Sequence, residues 1–211
     1  MQFDVPAPAD HVVKLLVTGP FNAGKTTLIS AISETPVVDT DIATTGDEMA
    51  VKATTTVAMD FGTYSLRDVE GRVDLLLFGT PGQPRFSFMT DIMKGDVDAV
   101  ISVVDAEDES THRSAGVSMR RLLRDLHVPL AIAVNRCDDP ARAIRLARSL
   151  GALSNEIVVP CQLIHESSAR DVVIAALEAA LAGLERPGAI PWRPPLDRVI
   201  ESIAPPTPGA A

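Results

Sequence analysis

The eight residues GPFNAGKT, Gly19 to Thr26, combine spaced glycines with a lysine and a hydroxyl in the pattern G-x-x-x-x-G-K-[S/T]. Small residues let successive backbone N–H groups turn inward on phosphate oxygens. A helix that begins at once adds the positive end of its dipole. Lys25 is the group that reaches the outer phosphates, and the Thr26 hydroxyl suits Mg²⁺. The expected phosphate-binding set is Gly19, Asn22, Ala23, Gly24, Lys25, Thr26 and Thr27. A second stretch, LFGTPGQPRF from Leu77 to Phe86, carries a Gly82–Gln83 pair suited to the far end of a nucleoside triphosphate. A third, NRCD from Asn135 to Asp138, places a carboxylate in a polar loop.

These loops need elements to hold them. Val12 to Thr18 is an apolar run that reads as a buried strand, and Lys25 to Ser33 reads as the helix that follows. Val57 to Leu66 and Val73 to Phe78 read as strands joined by the turn RDVEG, which predicts a hairpin. Further apolar strands are expected at Val97 to Val104, Leu130 to Val134 and Ile157 to Val159. Helical spacing lies between and after them: Ala115, Met119, Leu122 and Leu126, then Val173, Leu177, Ala180 and Leu184. Alternating strands and helices predict an α/β fold, doubly wound around a mostly parallel sheet, with one antiparallel edge strand from the hairpin. Residues 35 to 55 read as a long polar loop, a length that usually signals function.

The whole chain fits one domain. It has 211 residues, 46% hydrophobic and 22% charged, enough for a sizeable core. The organisation expected is an arm at 1–11, a nucleotide-binding domain at 12–186, and a tail at 187–211. That tail holds 7 of the 16 prolines, which argues against regular structure. Within it, Leu196, Val199, Ile200 and Ile203 fall on one side of a short amphipathic helix. The net charge of -9 argues against nucleic acid and anionic lipid as partners. No apolar run reaches the roughly 20 residues of a membrane helix. Cys137 and Cys161 lack metal-ligand spacing and read as free thiols. A cytoplasmic location is expected.

The phosphate loop, the stretch TVAMDFG (Thr56 to Gly62), GTPGQ (Gly79 to Gln83) and NRCD come in the order and rough spacing of the Ras-like small GTPases. Over roughly residues 12 to 185 the chain resembles that family. Within it, TTTVAMDFG and TPGQ-RF are most similar to the bacterial branch of conservon and gliding-motility GTPases. The resemblance implies a P-loop G domain binding GTP or GDP with Mg²⁺. Thr56 would be the switch threonine that senses metal and γ-phosphate, with Thr54 and Thr55 as adjacent alternatives. Thr26 and Thr56 would be the metal ligands. Gly82 would donate to the γ-phosphate, and Gln83 would orient the attacking water. Asn135, Arg136 and Asp138 match the guanine-reading motif, with Arg136 in place of the usual lysine and able to stack on the base. Cys161, Gln162 and Leu163 occupy the place of the last motif, where a backbone N–H would contact the base. A small roadblock-type, longin-related regulator is the implied partner, and a weak homodimer stays open.

Two departures bear on turnover. Gly79 stands where most of these proteins have a metal-linked aspartate. Asp74 lies at the wrong end of its strand to replace it. Asp105 lies at the right end of the sheet. Asp39, Asp41 and Asp47 fall in the polar loop, and strand geometry is expected to carry Asp60 away from the metal. Phe21 puts a bulky ring in the phosphate loop. Together they predict weak Mg²⁺ affinity and slow GTP hydrolysis. Arg85 is a candidate arginine finger in cis, and a surface or ion-paired arginine is the alternative. His112, His127 and His165 read as surface or capping residues. The function expected is a GTP-binding switch with slow, partner-regulated hydrolysis. The alternatives are a constitutively nucleotide-bound adaptor, or an ATPase with relaxed base choice.

Overall fold

The computed structural model describes residues 11–36, 59–68, 71–83, 86–124 and 126–184. Residues 1–10 of the arm, Thr56 with the acidic residues of its loop, Arg85, and the tail with the short helix expected there lie outside the described residues.

Six strands form one sheet in the order β2-β3-β1-β4-β5-β6. They are β1 (His11–Thr18), β2 (Asp60–Asp68), β3 (Gly71–Gly79), β4 (Ala99–Asp105), β5 (Leu130–Asn135) and β6 (Ile157–Cys161). Every pairing is parallel except β2 with β3. The expected hairpin and antiparallel edge strand are both present. The first strand of that hairpin starts at Asp60 rather than Val57 and runs on to Asp68. Val57 and Ala58 lie outside the described residues.

Among the described residues five helices cover the sheet: α1 (Lys25–Ile32), α2 (Ser87–Met93), α3 (Glu109–Arg124), α4 (Pro140–Leu150) and α5 (Glu166–Leu184). The sequence reading singled out neither α2 nor α4. The start of α4 is chemically explicit: Asp139 accepts from the Ala141 amide at 2.8 Å, Pro140 opens the first turn, and Gly151 closes the last. Leu126 falls beyond the end of α3 but still packs on the core.

The core has two halves, one on each face of the sheet. Leu28 and Ile29 of α1 and Val173 and Leu177 of α5 pack on Leu15, Leu75 and Leu77. Met119 and Leu122 of α3 and Ala143 of α4 pack on Leu16, Val100 and Ile132. Every residue of β4 and β5 is buried. Parallel strands covered on both faces read as unbroken apolar runs, which is why these two were legible. The loops after β1, β3, β4, β5 and β6 therefore start at one edge of a rigid layer.

Candidate functional site

The loop between β1 and α1 is shaped by residues that tolerate unusual backbone. Gly19 has φ 144° and Gly24 has φ 109°, conformations that favour glycine, and Asn22 has φ 60°. Space is a second constraint: a Cβ on Gly24 would lie 2.5 Å from Asn135 Nδ2. Lys25 is only 7% exposed and folds back over the loop, its Nζ donating to the Pro20 carbonyl at 2.7 Å. Burial lowers its pKa from 10.5 to about 8, partly opposed by the negative charge of Asp60. The loop thus holds a desolvated cation beside the N-terminus of α1, where phosphate oxygens would complete its hydrogen bonding.

Asn135, the last residue of β5, ties three loops together. Its Nδ2 donates to the Ala23 carbonyl at 2.9 Å. Its Oδ1 accepts from the amides of Arg136 at 2.9 Å and Leu163 at 3.0 Å. Leu163 is buried under Gly24 and supports the phosphate loop from below.

A carboxylate reaches the phosphate loop from an unexpected strand. Thr26 Oγ1 donates to Asp60 Oδ2 at 2.6 Å. Asp60 is paired with Gly79 in the antiparallel register of β2 and β3. A Cβ on Gly79 would sit 2.8 Å from Asp60 Cβ and 3.2 Å from Oδ2. The missing side chain at 79 therefore leaves the room that the Asp60 side chain occupies. This corrects the expectation that Asp60 points away. Antiparallel pairing brings the first residue of β2 level with the last of β3, at the loop edge of the sheet. Asp74 lies at the far end of β3, paired with Arg72 at 2.7 Å, as expected. Asp105 is at the right end but already committed. It is 2% exposed, accepts from the amides of Glu107 at 2.9 Å and Asp108 at 3.3 Å, and pairs with the Arg136 guanidinium.

Thr26 and Asp60 fit Mg²⁺ by donor chemistry. Both offer hard oxygen atoms, and this ion is usually held by one or two carboxylates together with substrate phosphates. Among the described residues no group of three or more His, Cys, Asp or Glu gathers as an all-protein cage.

The stretch after β3 closes over the phosphate loop. Thr80 donates from its amide to the Val17 carbonyl at 2.9 Å and from its hydroxyl to Thr18 Oγ1 at 3.1 Å. A Cβ on Gly82 would fall 2.4 Å from the Phe21 amide nitrogen, so the two backbones lie in contact. Gln83 is exposed, next to a cleft lined by Gly19, Pro20 and Ser87. The Phe21 side chain is 68% exposed and stands out from the loop.

At the other end, Arg136 has φ 57° and its side chain is held by Asp105. Asp138 is exposed and accepts from Gln162 Nε2 at 3.1 Å. The backbone amide of Gln162 is taken by Ser168 Oγ at 2.9 Å, and that of Leu163 by Asn135. The backbone contact expected from this loop thus has no free donor at either residue. Cys161 is buried, and burial together with neighbouring Cys137 pushes its thiol up to about 12. Thr27 is exposed on the first turn of α1. His112 binds the Asp105 carbonyl through Nε2 at 2.8 Å, a loop-fixing role in keeping with capping.

A phosphate loop on the rim of this sheet, with a lysine, a threonine–aspartate pair and an asparagine staple, defines a nucleotide-binding P-loop protein with the small-GTPase fold. A family model described as "Conserved hypothetical ATP binding protein" matches residues 36–147, just over half of the chain, and the chain belongs to that family. An uncharacterized protein of Methanocaldococcus jannaschii is 30% identical over 126 residues, covering 60% of this chain and 71% of that protein. The Ras-related protein Rab-13 of Canis lupus familiaris is 29% identical over 152 residues, covering 67% of this chain and 68% of its own. Rab-13 of Bos taurus is 28% identical over 152 residues, with the same coverage.

Proposed function

We propose that the protein is a GTP-binding switch of the bacterial conservon-like kind that hydrolyses GTP slowly to GDP. The observation that carries this reading is the Thr26–Asp60 hydrogen bond opposite Gly79. It supplies the carboxylate whose absence at position 79 argued for an inert scaffold.

In this reading the phosphate-loop amides hold the α- and β-phosphates, and Lys25 takes the outer oxygens. Thr26 and Asp60 would hold Mg²⁺, with Thr56 as the further ligand that the resemblance implies. When bound, that ion neutralises charge building on the phosphate oxygens. Gln83 orients a water for in-line attack on the terminal phosphorus, while the bond to the β-phosphate oxygen breaks. Gly82 gives its N–H to the terminal phosphate. Arg85, two residues on in the sequence, is the candidate finger in cis, with a surface or ion-paired arginine as the alternative. The contact between Gly82 and the Phe21 backbone is the point at which a terminal phosphate would re-order the 82–95 segment, and a roadblock-type partner would read that change.

A second reading is ATP in place of GTP. The family's description favours it. Asp138 opposes it, because a carboxylate only accepts hydrogen bonds and guanine presents two N–H donors on that edge.

Both are tested on one preparation. The bound nucleotide is released and identified, and the emptied protein is reloaded with GTP or ATP and followed through one turnover. Bound GDP and slow, Mg²⁺-dependent decay of GTP are expected. Bound adenine nucleotide sinks the GTP assignment, and intact GTP after hours favours the adaptor.

A further inference from the structure

In the guanine reading the base lies against the loops after β5 and β6, where two backbone donors are already taken. The amides of Gln162 and Leu163 are both spent inside the protein. The side chain of Gln162 instead reaches Asp138, with Nε2 donating to Oδ2 at 3.1 Å. That leaves the second Nε2 hydrogen and Oε1 without a protein partner among the described residues.

We propose that the Gln162 carboxamide is a base-reading group that selects a 6-oxopurine. The inference rests on the guanine reading above and deepens it. Guanine offers N–H donors at positions 1 and 2 and an acceptor oxygen at position 6. Adenine offers a bare nitrogen at position 1 and a donor amino group at position 6. Asp138 is suited to positions 1 and 2. A carboxylate has about four lone-pair sites, so Oδ2 can hold Gln162 and a base N–H together.

The bond to Asp138 also fixes which way the amide faces. Nε2 must be the atom turned toward the carboxylate, since Oε1 would be repelled by it. Positions 2 and 6 both flank position 1; Asp138 takes positions 1 and 2, and the proposed place of the Gln162 amide is the position-6 side. The spare hydrogen on Nε2 therefore meets the 6-oxo oxygen of guanine as a donor. The 6-amino group of adenine would meet it donor against donor. Two residues thus read three positions, and no backbone amide is required.

The test uses the full chain, emptied of nucleotide, with four competitors displacing a fluorescent GDP. GDP and IDP carry the 6-oxo group. ADP and the diphosphate of 2,6-diaminopurine riboside carry the 6-amino group. Gln162→Ala is expected to weaken GDP and IDP by about tenfold, one hydrogen bond's worth, and to bind the two 6-amino nucleotides as well as the wild type or better, since the opposed donor is gone. Gln162→Met, which keeps the side-chain length, should do the same with an unshifted melting temperature. Unchanged GDP and IDP binding in both variants overturns the inference and leaves the guanine reading standing. Equal weakening of all four shows a role in loop support and also overturns it. A wild-type protein that prefers ADP to GDP overturns both.

Discussion

Lys25 carries a charge whose cost is visible. Its burial brings the pKa down to about 8 from 10.5, so the nucleotide-free protein sheds this proton only slightly above neutrality. The sign of the consequence follows directly. Between pH 8 and 10.5 the unfolded chain holds a proton that the folded chain has lost, so Lys25 makes the empty fold more stable as pH rises through that window. Nucleotide binding runs the other way, since anionic phosphates favour the protonated lysine. Affinity should be full below pH 8 and should fall above it, by up to about tenfold per pH unit. Titrating GDP affinity from pH 7 to 9 checks this, with Lys25→Arg as a control whose guanidinium does not titrate. A flat profile for the wild type would show that Lys25 stays charged. At this scale the sequence was legible where chemistry is local. GPFNAGKT suggests phosphate binding through residue type and spacing, and the structure folds Lys25 over the loop and bonds Thr26 to Asp60. Asp60 was misread because its position depends on a partner strand, and the register Asp60 to Gly79 cannot be read along one chain segment. A signal existed: a glycine where an acid is expected, with an acid at the start of the neighbouring hairpin strand.

The loops are positioned as a set. Asn135 spans from β5 to the phosphate loop and to the loop after β6, so the phosphate end and the base end of the site share one anchor. Asn135→Ala would leave the Ala23 carbonyl and two amides without their partner, at a cost of about 2 kcal/mol or more in stability. It should also weaken GDP and ADP alike, because the phosphate loop itself loosens. Thermal melting and nucleotide competition together check this, and a loss confined to guanine nucleotides would show instead that Asn135 reads the base. The elements were legible in proportion to their burial. Fully covered β4 and β5 write continuous apolar runs, and the long helices α3 and α5 repeat their buried residues at helical spacing. The seven-residue α2 has no fully buried residue, so it left no periodic trace. Arg136 illustrates the same limit in a loop. Its stacking role was inferred from residue type, and no single segment shows that Asp105, at a different strand end, also holds its side chain.

The molecule as a whole is one sheet with two apolar faces and a chemically active rim. Both cysteines lie inside it, one on each side of the last strand pairing, where the Cys137 amide donates to the Cys161 carbonyl at 3.2 Å. A thiol pushed up to about 12 has almost no thiolate at neutral pH. Native protein should therefore leave Cys161 untouched by a thiol-specific reagent, and the denatured chain should react at both cysteines. Rapid labelling of Cys161 in the native state would show that this end of the sheet opens. Among the described residues no helix is long and apolar enough to cross a membrane. The fold class and strand order follow from alternating elements and one hairpin. The functional rim draws on five loops at once, and its cross-strand contacts emerge only when the sheet is assembled. The most direct test of the account is the Mg²⁺ dependence of fluorescent GDP release from the wild type, Asp60→Ala, and Asp60→Gly combined with Gly79→Asp, which removes the Cβ that a side chain at 79 would meet. Asp60→Ala should need about tenfold or more Mg²⁺ to slow release, and returning an acid to position 79 should recover part of that loss. Identical Mg²⁺ curves for the wild type and Asp60→Ala would contradict the transfer of the metal-linked carboxylate from β3 to β2.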